Sequence, residues 1–182
     1  MVRLAVATLV LSVLAVAVLT DDGEPRAQAQ TRAAYTHPCG RTAPLRAVGR
    51  ASPDDATLGP ARLVAFRRLF ENARAEEVYS PEPGTYLLKA ALVFPGRRDL
   101  TIAVPRSHQA VLRLQYKSSG SRGHSSVRFR ACRGDARGTG HPGGLVYTGP
   151  WPACVPLHVS VGGRRSQRHV LSLGAGPCPV PK

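Results

Sequence analysis

Val155-Pro156-Leu157-His158-Val159-Ser160-Val161, the turn Gly162-Gly163-Arg164-Arg165 and the return His169-Val170-Leu171-Ser172-Leu173 together decide the fold. Valine and leucine take every second place in the first segment, with Pro156, His158 and Ser160 between them. A period of two belongs to an extended strand with one buried face. Two glycines followed by two arginines break that pattern and reverse the chain, so the segments on either side are expected to form a hairpin.

The same grammar extends upstream. Tyr86, Leu88, Ala90, Leu92 and Phe94 alternate, and Leu87, Ala91 and Val93 on the other phase are also apolar, as in a strand covered on both faces. Pro95 to Asp99 is a turn, and Leu100, Ile102 and Val104 begin a return strand, which predicts a second hairpin. Leu112 to Tyr116 and Val127 to Ala131 predict a third, and Leu145 to Tyr147 and Arg62 to Phe66 two further strands. Arg67 to Glu77 reads equally as a short helix or an irregular loop. About seven or eight short strands with regular turn signals predict an all-β domain over residues 57–182, an antiparallel β-sandwich of immunoglobulin-like or jelly-roll-like type. Residues 30–56 show no periodicity and are expected to form a flexible lead-in pinned at Cys39.

The first 29 residues have a different grammar. Arg3 precedes an apolar run from Leu4 to Leu19, the layout of a secretory signal, and Ala27-Gln28-Ala29 supplies a small-x-small cleavage site. An uncleaved anchor is the alternative, since the run approaches the ~20 residues that span a bilayer. Either way the chain is expected to be exported: secreted, or membrane-anchored and facing outside. In such a compartment Cys39, Cys132, Cys154 and Cys178 are expected to form two disulfides. Joining the ends of the domain favours Cys39–Cys178 with Cys132–Cys154. The rival, Cys154–Cys178 with Cys39–Cys132, follows if the strands that Cys154 and Cys178 bracket form a hairpin.

The chain of 182 residues carries a net charge of +14, and removing residues 1–29 would take away more acid than base. From Pro83 onward the only carboxylates are Asp99 and Asp135, against three lysines and a dozen arginines. If Leu112, Leu114 and Tyr116 pair with Val127, Phe129 and Ala131, then Arg113, Lys117, Arg128 and Arg130 share the opposite face as a basic patch. Such a patch suits an anionic cell-wall polymer, a membrane surface or another envelope protein. With one tryptophan and 5% aromatic residues, the stacking platform of a nucleic-acid binder is lacking.

Catalytic chemistry has little to work with. No C-x-x-C pair or His/Cys spacing points to a metal, and no glycine-rich strand-turn-helix motif points to a nucleotide, so no cofactor is expected. Spacing allows a triad such as Ser125 with His124 or His141 and Asp135, since triads assemble in space and not in sequence. Arg133-Gly134-Asp135 matches an adhesion tripeptide at a length that chance supplies. His141 and Trp151, in loops rich in glycine and proline, are candidates for bordering a ligand groove.

Thr57-Leu58-Gly59-Pro60, Phe129-Arg130-Ala131-Cys132, Cys154 at the start of a strand and the ending His169 to Cys178 together resemble an exported protein family of high-GC actinobacteria that has no established function. The resemblance implies export and a cysteine-bearing β domain, and no active-site residues. The expectation is a non-catalytic secreted or cell-envelope binding module with a basic face for an anionic or protein partner. A small secreted hydrolase with a His-dependent site near His124 and His141 is the alternative.

Overall fold

Extended segments dominate the computed structural model, which describes residues 34–39, 43–44, 50–95, 97–116, 123–132 and 139–179, all within one compact unit, Thr31–Lys182. The signal or anchor expected over residues 1–29 lies outside the described residues. Among those residues no helix is long and apolar enough to cross a membrane.

In chain order the strands are β1 Tyr35–His37, β2 Ala43–Pro44, β3 Ala56–Leu58, β4 Ala61–Leu63, β5 Tyr86–Lys89, β6 Leu92–Phe94, β7 Leu100–Ala103, β8 Leu112–Gln115, β9 Ser126–Phe129, β10 Thr139–His141, β11 Gly144–Tyr147, β12 Ala153–Val161 and β13 Gln167–Leu173. One sheet has the order β1-β9-β7-β12-β13, a second β2-β10-β6-β4-β3, and a third β5-β11-β8. Among the described strands, only the β1–β9 contact is parallel. The all-β expectation holds, as does the hairpin of β12 and β13, in which Val155 faces Leu171 and Val159 faces Gln167.

The long apolar run from Tyr86 to Phe94 is not one strand. It breaks at Ala90-Ala91, opposite a break at Pro142-Gly143 between β10 and β11, and Ala90 N–H donates to the Gly143 carbonyl at 3.0 Å across the bend. Glycine is required there: a Cβ on Gly144 would overlap the Leu88 carbonyl, and one on Gly143 the Tyr116 ring.

Two expected hairpins are crossings between sheets. The turn after β6 delivers β7 to a different sheet, where it pairs with β12 and β9. Likewise β8 pairs with β11, and among the described residues meets the chain leading into β9 at the single bridge of Leu114 with His124. Alternation is satisfied in both geometries, because it specifies which face is buried and not which strand lies alongside.

All three sheets send side chains into one core. Leu58, Leu88, Leu92, Leu100, Leu112, Val127, Phe129 and Leu173 are fully buried within it, each contributing about 1.5–3 kcal/mol of apolar transfer free energy. The expected flexible lead-in takes part: residues 30–56 supply β1, β2 and the buried Asp55. One Asp55 oxygen accepts from Ala65 N–H at 2.8 Å, and the other from Ser52 N–H and the Arg62 guanidinium. Burial opposes the ionised carboxylate, but these donors outweigh it and hold Asp55 below its ordinary range. They also anchor Ala65 at φ +55, a left-handed conformation costly for alanine. Beyond it, residues 67–77 form two short turns, Arg67–Glu71 and Ala75–Glu77, with no longer helix.

The disulfides are Cys39–Cys132 and Cys154–Cys178, so the pairing favoured from the ends of the domain is wrong and its rival is right. β1 runs parallel to β9 with His37 opposite Phe129, which carries Cys39 alongside Cys132. Gly174 and Gly176, at φ +67 and +66, turn the chain after β13 back towards Cys154.

Candidate functional site

The turn between β6 and β7 lies against the turn between β12 and β13. Gly162 N–H donates to the Asp99 carbonyl at 2.8 Å, extending the β7–β12 ladder by one pair, and a Cβ on Gly162 would stand 3.2 Å from Arg98 Cδ. β9 ends at the same place, since Arg128 grips the Asp99 carboxylate through Nε at 2.9 Å and Nη2 at 2.7 Å. Ala131 N–H donates to the other Asp99 oxygen at 2.9 Å. The Ala131 N–H, ahead of the Arg128 guanidinium, holds Asp99 below its ordinary range.

This end therefore gathers Arg97, Arg98, Arg128, Arg130, Arg164 and Arg165, all exposed. Asp99 is the only carboxylate in the three segments that carry them, and its oxygens are already engaged. Exposed guanidinium groups around a spent acid, with Arg128 held in place, make a region of positive potential suited to polyvalent anions.

The expected basic patch is divided. Arg128 and Arg130 belong to the arginine end; Arg113 lies on β8 in another sheet, opposite Val146. Lys117 lies outside the described residues, as does the tripeptide Arg133 to Asp135. The patch rested on pairing β8 with β9, which the sheet crossing prevents.

His141 and Trp151 border no common groove. His141 has no exposed surface. Its ring stacks on Phe94 at 5.4 Å between centroids, meets Phe129 edge-on at 4.9 Å, and places Nδ1 3.2 Å from Nδ1 of buried His37. One of these nitrogens donates to the other. His141 Nε2 is buried without a hydrogen-bond partner, so the arrangement of least cost protonates His141 at Nδ1 and leaves Nε2 a bare acceptor. Burial, with His37 second, pushes His141 down to about 4. Trp151 is half-buried, donates Nε1–H to the Ala73 carbonyl at 2.9 Å and packs its ring on Tyr86. His124 stacks on Tyr35 at 4.3 Å. A His-dependent hydrolase is not supported by a His141 closed off from solvent, and Asp135 lies outside the described residues. No group of three His, Cys, Asp or Glu side chains suited to a metal occurs among the described residues.

Sequence reasoning missed the arginine end because its members come from three separated segments. Arg97-Arg98 and Arg164-Arg165, twin arginines in two turns, were the available signal. Comparison of the chain with known protein families, with curated proteins and with solved structures finds no match.

Proposed function

We propose that this protein acts outside the cytoplasm as a non-catalytic binding module that holds an anionic polymer or surface on its arginine end. The observation that carries this reading is the set of six exposed arginines around Asp99, whose carboxylate is already committed to Arg128 and Ala131. Two disulfides suit an oxidising compartment, and the N-terminal apolar run suits export. The same reading takes the three sheets as a sandwich-type scaffold, immunoglobulin-like or jelly-roll-like in its finer connectivity. The single core fed by all three sheets supports it.

The purified protein is tested for co-sedimentation with phosphatidylglycerol vesicles and, separately, for binding soluble inorganic polyphosphate. Binding in at least one arm is expected to weaken as salt rises from about 50 to 500 mM. It is expected to be lost when Arg97, Arg98, Arg164 and Arg165 are changed together to Ser, and kept in Arg113→Ser. No binding in either arm at low salt, or full binding by the quadruple variant, would overturn the reading.

A further inference from the structure

The first two sheets end on strands that face each other without pairing. β13 closes one sheet and β3 the other, and between them lies a cavity of about 410 Å³. Hydrogen-bond parity shows which backbone groups point into it. Pro156 has no N–H and faces Val170, so this is a non-hydrogen-bonded pair, and the N–H and C=O of Val170 point away from β12. Arg168, two residues back, has the same orientation. Gly174 N–H, on the same edge, is taken by the Phe70 carbonyl at 2.7 Å, so that end is covered, while the outward N–H and C=O of Arg168 and Val170 have no backbone partner among the described residues. On the opposite wall, Leu58 and Ala61 close the two-residue Gly59-Pro60 turn, which leaves the N–H and C=O of Thr57 facing the cavity.

We propose that this slot takes an extended strand of a partner polypeptide, added to β13, whose side chains alternate apolar and acidic. Backbone groups of Arg168 and Val170 would supply the ladder. Apolar side chains of the incoming strand would meet the lining formed by Ala56, Phe66 and Leu171, and acidic ones Arg168 at the rim. Glu71, the acid lining the slot, is paired with Arg67 at 3.8 Å. A second copy of this chain fits poorly, because two β13 edges brought together would set arginine near arginine. This surface is independent of the arginine end.

The test titrates the purified protein with fluorescein-labelled peptides Glu-Val-Glu-Val-Glu-Val and Lys-Val-Lys-Val-Lys-Val, with amide exchange followed by NMR. The acidic peptide is expected to bind saturably and to protect the amides of Arg168 and Val170. Val170→Pro removes an edge donor without touching the β12 ladder and is expected to weaken binding about tenfold, with the unfolding midpoint little changed. Arg168→Glu is expected to switch preference to the basic peptide. The Arg164→Ser, Arg165→Ser double variant should bind the acidic peptide as the parent does, which separates this site from the arginine end. No binding by the parent protein, undiminished binding by a folded Val170→Pro variant, or protection confined to residues outside β13 would overturn the proposal.

Discussion

Two junctions between sheets are finished in different ways. Around β1, β8 and β9 the space is filled by rings, with His37 and Phe129 in contact with each other and each with Tyr116 and His141, and the neighbouring strands are tied by Cys39–Cys132. Around β3 and β13 it is left as a slot with arginine at its rim and unpaired backbone on its walls. Large planar side chains and a covalent tie exclude water from the first junction. The second keeps a cavity between Phe66 and Leu171 on its walls and Arg67 and Arg168 at its rim. The closed junction is expected to carry more of the stability, and the unpaired edge of β13, apart from the Cys154–Cys178 bridge beside it, to carry little and be free for recognition.

Variants can break or sharpen that contrast. The largest effect should follow Cys39→Ser with Cys132→Ser, because the bridge closes a sequence separation of 93 residues. Chain entropy predicts a loss of about 4–5 kcal/mol in urea unfolding, against about 3.5 for removing Cys154–Cys178. Phe129→Ala should come next, at about 3–4 kcal/mol by the same measurement, since it empties the centre of the ring cluster.

Acid should then act on the closed junction. His141 titrates at about 4 when folded and near 6.5 when unfolded, so the unfolded chain takes up the proton first as pH falls. The stability of the neutral core is complete above about pH 6.5 and declines down to about pH 4, by up to roughly 3 kcal/mol. His169, lowered by burial, adds in the same sense. Urea midpoints across this range should fall in the parent and fall less in His141→Phe; parallel slopes would remove His141 as the cause. Smallest should be Arg168→Ser at the open junction, within about 0.5 kcal/mol of the parent in unfolding. A larger loss would make β13's edge structural and blunt the contrast.

Local pattern announced the strands and turns but not their partners. β12 and β13 were legible because a short Gly-Gly turn returns a strand to its neighbour. The turn from Pro95 to Asp99 carried an equally clear signal, yet it passes the chain between sheets. The alternation of Leu100 and Ile102 is satisfied against either partner. His37 and His141 stand 104 residues apart with no periodicity linking them, so their pairing in the core left no trace in the local pattern. Two members of the arginine end, Arg128 and Arg130, were identified as basic-face residues, but in company with Arg113, which β8 carries in another sheet, and Lys117, which lies outside the described residues.

The sequence by itself determined that the chain is β-rich, that β12 and β13 form a hairpin, and which residues of those strands turn inward. These follow from side-chain period and turn chemistry, both of which act over a few residues. That Cys39 meets Cys132, that arginines from three segments come to one end of the molecule beside a committed aspartate, and that β3 and β13 face each other unpaired was left to the tertiary fold. Each of these depends on where distant segments come to rest, which is settled when all three sheets bury their apolar faces in one core.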